Sequence, residues 1–152
     1  MKNLNLKKVF LILLFTSTLI ITGCGANTGL RGYNINHAMN NMPTSVKNRT
    51  DDFKFYFGKD STIDILGATK LGPVKTSNRT NAAGKSAVKS CDWVFYSALI
   101  DLKTQAEKMG GNAVANIQSN WKGNTTSSST RYMCANGLWL SGVALTGTAI
   151  KE

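Results

Sequence analysis

Between residues 91 and 109 the apolar side chains Cys91, Val94, Phe95, Ala98, Leu102, Ala106 and Met109 recur at helical spacing, and Gly110-Gly111 ends the pattern as C-terminal glycines do. Asp92, Asp101, Lys103, Glu107 and Lys108 fill the rest of the wheel. No other stretch carries so convincing a helical period, so sheet is what remains to pack against this helix. Phe53, Phe55 and Phe57 alternate with Lys54 and Tyr56 and predict one strand, which Gly58 ends. A second strand is predicted over Thr62 to Thr69, with a bulge at Gly67 and a break at Gly72-Pro73. Lys75 to Ser90 shows no period and reads as a polar segment leading into the helix. Asn112 to Ser119 predicts a strand of small residues, Lys122 to Thr130 a loop, and Arg131 to Ile150 one or two further strands. The expected fold is α+β, with one main helix packed on a small, mostly antiparallel sheet.

The N-terminus carries a different message. Lys2, Lys7 and Lys8 precede an apolar run from Val9 to Ile21, and the small residues Thr22-Gly23 stand before Cys24. The run is shorter than the roughly 20 residues a transmembrane helix needs. Leu19-Ile-Ile-Thr-Gly-Cys24 resembles a bacterial lipoprotein lipobox, which implies cleavage before Cys24 and acylation of that cysteine. At about 0.8 kcal/mol per buried methylene, a diacylglycerol with an added acyl chain holds a protein on a membrane essentially permanently. Gly25, not Asp, follows Cys24, and a lipoprotein without Asp there is by default moved on from the inner membrane. The expected organisation is a signal peptide over 1–23, a lipidated N-terminus and polar tether over 24–51 with one short helical stretch around Ile35 to Met42, and an α+β periplasmic domain over 52–152. The expected location is the periplasmic face of the outer membrane.

Export also governs the cysteines. With Cys24 assigned to lipid, Cys91 and Cys134 remain, in a compartment where disulfides persist, and a bridge between them is expected to tie the helix N-terminus to the fourth strand. A metal site is not expected, because no C-x-x-C spacing exists and His37 is the one histidine.

Charge and motifs exclude more than they assign. Losing residues 1–23 takes three lysines and lowers the net charge from +10 to +7, with the charges scattered, so no nucleic-acid partner is expected. Ala83-Gly84-Lys85-Ser86 lacks the earlier glycine of a phosphate loop, where Arg79 stands, so no nucleotide and no other cofactor is expected. His37 falls in the expected tether, which leaves the serines without a positioned base, and the chain is expected not to be an enzyme. Trp93, Tyr96 and Ile100 form a second apolar stripe on the helix and are the expected contact surface if exposed.

Four stretches then combine: Phe53-Lys-Phe-Tyr-Phe-Gly58, Lys75-Thr-Ser-Asn-Arg-Thr-Asn81 with Gly84-Lys-Ser86, Gly110-Gly-Asn-Ala-Val-Ala-Asn-Ile117, and Gly142-Val-Ala-Leu145. Together they resemble a family of small exported proteobacterial proteins often labelled excinuclease ATPase subunit. More distantly, the placement of Cys91, Asn112-Ala113-Val114 and Cys134 before Gly142 is similar to the C-terminal domain of the outer-membrane lipoprotein family that senses envelope stress for the Rcs phosphorelay. There the corresponding cysteines are bridged, which implies Cys91–Cys134 here, while Leu140 stands where a partner of that family's second pair would be. The resemblance implies a non-enzymatic envelope sensor or accessory domain that meets an envelope protein. The alternative is a small-ligand or metal-binding domain using Asn116, Gln118 and the Lys75 to Ser86 segment, against which the scarcity of nearby carboxylates weighs.

Overall fold

The computed structural model of the protein describes residues 29–59 and 67–152. Cys24, the signal peptide and most of the strand expected over 62–69 lie outside the described residues. The described elements are strand β1 (Gly29–Asn34), helices α1 (Ile35–Asn40) and α2 (Thr44–Lys47), strands β2 (Lys54–Phe57) and β3 (Thr69–Asn81), helix α3 (Ala87–Lys108), and strands β4 (Ala113–Trp121), β5 (Asn124–Thr126), β6 (Arg131–Asn136) and β7 (Leu140–Lys151). The α+β fold expected from the sequence is the one observed, with α3 as the main helix on a seven-stranded, mostly antiparallel sheet.

Helix α3 begins where Ser86, in an extended conformation, accepts the Lys89 N–H on its side chain. It ends in a Schellman turn: Gly111 N–H reaches the Ala106 carbonyl, Gly110 N–H reaches that of Glu107, and Gly110 takes the left-handed φ of +84° that the turn requires. Cys91, Val94, Phe95, Ala98, Leu99, Leu102 and Ala106 are buried. Two assignments on the wheel are corrected. Met109, at the C-cap, is exposed, and Asp92 is buried, because its carboxylate accepts a bond from Tyr132 on the sheet.

Strand β7 is the spine of the sheet. Along one edge it pairs with β3 over its whole length; along the other it pairs with β4 from Ile150 to Leu145 and then with β6 at Gly142 and Ser141. β1 pairs antiparallel with β6, β5 forms a hairpin with β4, and β2 joins β4 as the one parallel pair among the described strands. The hairpin sits inside the expected Lys122 to Thr130 loop, and it turns through Lys122 and Gly123, both at positive φ, as a two-residue turn that matches strand twist does.

The polar tether is corrected from residue 29 onward. Gly29–Asn34 forms a full strand against β6, and Asn34 caps α1 by accepting the His37 N–H at 2.8 Å. Ile35, Ala38 and Val46 enter the core, so the folded domain begins at least at Gly29 and not near Asp52. The sequence obscured this because a few apolar residues suffice for elements so short. The expected polar segment from Lys75 is likewise a strand as far as Asn81. Its burial alternates, but the half-buried face carries Thr76, Asn78 and Thr80 rather than aliphatics. That face meets α3 through polar bonds: Asn78 Nδ2 donates to Asp101 Oδ2 at 2.6 Å, and Thr76 bonds Asn78. Gln105 of α3 clamps the outer edge of β3, its carbonyl accepting the Lys75 N–H at 3.2 Å and its amide donating to the Lys75 carbonyl at 2.8 Å.

The core lies between α3 and the sheet. Phe95 stacks on Tyr132 with centroids 4.0 Å apart, and Phe53, Phe55 and Phe57 pack around them. Cys91 and Cys134 are bridged, joining the first turns of α3 to β6 as expected.

Candidate functional site

The stripe expected on α3 is not one exposed surface. Trp93 is 39% exposed, Tyr96 only 3%, and Ile100 is half-buried against the core. Tyr96 is covered by α1, to which its hydroxyl donates at the Ala38 carbonyl, 2.7 Å away. Folding of the segment taken for a tether is what buries it. Burial, reinforced by the nearby negative charge of Asp92, pushes the Tyr96 phenol up to about 12.

The same helix brings His37 to the domain, a second consequence that the tether reading missed. Tyr132 donates to Asp92 Oδ1 at 2.7 Å, and His37 Nε2 stands 3.8 Å from Asp92 Oδ2. Burial first, and then the bond to Asp92, hold the Tyr132 phenol far above its ordinary value. Asp92 and Tyr132 are thus locked on one another in the interior, and only the imidazole, with 55% of its side chain exposed, looks outward. Ser90, Ser141 and Asn136 form a second buried polar cluster, with Ser141 donating to Ser90 at 2.8 Å and Asn136 to Ser141 at 2.7 Å. The Tyr132–Asp92 bond and the Ser141–Ser90 and Asn136–Ser90 bonds join α3 to β6 and β7.

Asn116 and Gln118, the donors of the alternative ligand set, lie on β4, while the Lys75 to Asn81 part of that set lies on β3, with β7 between them. Gln118, Thr146 and Lys75 occupy one row, which sets Gln118 and Lys75 two strand spacings apart, about 10 Å. Asn116 takes a positive φ of 53° at the irregularity in β4. Among the described residues no three His, Cys, Asp or Glu side chains cluster as metal ligands do.

Two surfaces stand open. On the sheet face turned from α3, Lys75, Arg79, Trp121 and Lys122 line a groove of about 440 Å³. The Trp121 ring lies over Gly142, where a Cβ would come within 2.9 Å of it, so glycine is what lets the indole lie flat on the sheet. Among the described residues that line it there is no carboxylate. The signal was present in the alternation of Lys75, Ser77 and Arg79, hidden by the polar composition of both faces of β3. The other surface is the turn between β6 and β7, where Leu138, Trp139 and Leu140 are 63%, 73% and 57% exposed.

Compared with protein-family models, with curated proteins and with solved structures, the chain finds no match in any of the three.

Proposed function

We propose that this protein is a lipid-anchored domain of the bacterial envelope, held by acyl chains on Cys24 at the periplasmic face of the outer membrane, which acts as a sensor or accessory component by contact and not by catalysis. The lipobox resemblance supports the anchor, and the basic, aromatic groove supports the mode of action. A groove lined by Lys75, Arg79, Lys122 and Trp121 offers cations and one flat apolar ring, the chemistry that receives an acidic protein surface. That groove, and not the Trp93 side of α3, is the contact surface this reading adopts, because Tyr96 is already engaged by α1.

The test is crosslinking in living cells from a photoreactive residue at Lys122, with and without Arg79→Glu. A discrete protein adduct that disappears in Arg79→Glu, at unchanged melting temperature, supports the reading. Turnover of an envelope substrate by the purified chain, or an adduct indifferent to Arg79, overturns it. A second reading keeps the anchor but places a small anionic molecule in the same groove, whose volume falls within the usual range of ligand sites. Calorimetry with small phosphates and carboxylates, against Arg79→Glu and Lys122→Glu, separates the two.

A further inference from the structure

The strand register brings three parts of the chain to one end of the molecule. Thr80, Ser141, Asn136 and Gly29 form a single row across β3, β7, β6 and β1. Beyond that row stand the Leu138-Trp139-Leu140 turn and the loop from Ala82 to Ser86, and Gly29, the first described residue, lies in the row itself. The turn is held rigidly, with Gly137 N–H bonded to the Leu140 carbonyl at 2.9 Å and Ala82 N–H bonded to that of Trp139 at 2.8 Å. Its three apolar side chains nevertheless point into solvent. Leu30, in the next row of β1, and Val88, in the first turn of α3, are exposed as well.

Basic residues stand toward this end: Lys85 in the Ala82 to Ser86 loop, Lys89 in the first turn of α3, and Arg79 one row inward of Thr80. At the opposite end Glu152 and Glu107 are paired with Lys54 and Lys103, and Asp51 and Asp52 stand ahead of β2, with Lys70, Lys108 and Lys151 at the same end. Of the other described carboxylates, Asp92 is bonded to Tyr132 and Asp101 to Asn78.

From this arrangement we infer that the Leu138-Trp139-Leu140 turn is a membrane-contacting tip, which seats the domain end-on upon the bilayer that holds its lipid. The inference rests on acylation of Cys24 and deepens it. Cys24 precedes Gly29 by five residues, a span of about 18 Å at most when fully extended. Gly29 is two strand spacings from Ser141, about 10 Å. A lipid at Cys24 therefore brings this end of the molecule, and not the opposite one, to the headgroups. There an indole suits the interface, leucines suit the acyl boundary, and Lys85, Lys89 and Arg79 suit anionic headgroups. Large exposed apolar groups side by side are otherwise a liability in a monomer.

The test uses the full chain, extracted from expressing bacteria and reconstituted in phosphatidylethanolamine–phosphatidylglycerol vesicles whose acyl chains carry bromine. Bromine is expected to quench the tryptophan fluorescence of the wild-type chain, and Trp139→Ala is expected to abolish most of that quenching while leaving the melting temperature unchanged. Mass spectrometry of the N-terminal peptide from the same sample reports acylation separately. An acylated chain whose fluorescence is not quenched through Trp139 overturns the tip and leaves the anchor standing. An unmodified Cys24 with quenching through Trp139 sinks the anchor and supports the tip on its own; an unmodified Cys24 without quenching sinks both. In cells, a photoreactive residue at Leu138 is expected to yield lipid adducts, and an adduct of twice the chain mass or of another protein in their place overturns the inference.

Discussion

The phenol of Tyr132 is the donor on which a buried carboxylate depends. Asp92 is 7% exposed and receives its bond from Tyr132 inside the core, so Tyr132→Phe removes one atom and leaves the carboxylate short of a partner. The expected cost is about 1–3 kcal/mol, read as a lower urea midpoint at unchanged slope. The same pocket sets an alkaline limit. Burial raises the phenols of Tyr96 and Tyr132 above their ordinary value near 10, so the folded state holds both protons more tightly than the unfolded state. The stability this contributes is fully present below pH 10 and is lost as the pH rises from there through about 12, the Tyr96 value. A spectrophotometric titration is expected to show these phenols ionising together with loss of the circular dichroism of the fold. Smooth titration of all four tyrosines at their ordinary value, ahead of unfolding, would contradict it. None of this was legible in the sequence. A carboxylate beside a buried helical cysteine reads as surface until the tyrosine of a distant strand is placed above it.

Among the elements, β3 has its outer edge guarded by a side chain of α3. Gln105 takes both the N–H and the carbonyl of Lys75, groups that an outer strand otherwise offers to any passing chain. Gln105→Ala is expected to lower stability by about 0.5–1.5 kcal/mol per bond lost and to raise the fraction of dimer in sedimentation. No change in either would mean that the clamp is incidental. Ser86→Ala, which removes the N-cap of α3, is expected to cost about 1 kcal/mol in the same denaturation assay. Elements were legible in proportion to their apolar period. Helix α3 and strand β2 announced themselves, since Phe95, Leu102 and Phe53 repeat at 3.6 and 2.0 residues. The short helical stretch expected around Ile35 to Met42 is α1, though a tether was not expected to pack on the core. β1 and β3 were not legible, for two reasons. β1 is short and leans on a strand made elsewhere in the chain, and β3 beyond Val74 meets the helix through Asn78 and Thr76, so there its inward face is as polar as its outward one. The open groove was hidden by the same polarity.

For the molecule as a whole, the bridge between Cys91 and Cys134 closes a long loop across the core. The sequence separation of 43 corresponds to roughly 4 kcal/mol by the chain-entropy relation, so reduction, or Cys91→Ser with Cys134→Ser, is expected to lower the denaturation free energy by about that much. A shift below about 1 kcal/mol would show that the unfolded chain is compact without the bridge. Bridge and fold class were both legible, because the lipobox resemblance sets Cys24 aside and leaves two cysteines to pair, and one long helix leaves sheet as its partner. The pairing of β1 with β6 has a further consequence in time. The first described strand has no partner until residues 131–136 arrive, roughly a hundred positions later, and such distant closures are slow. β1 and α1 are therefore expected to dock last, and until they do Tyr96 has neither its cover nor its acceptor at Ala38. A chain emerging N-terminus first thus displays Trp93, Tyr96 and Ile100 briefly as a continuous apolar stripe, which the finished protein breaks by covering Tyr96. That transient surface is what a chaperone would meet.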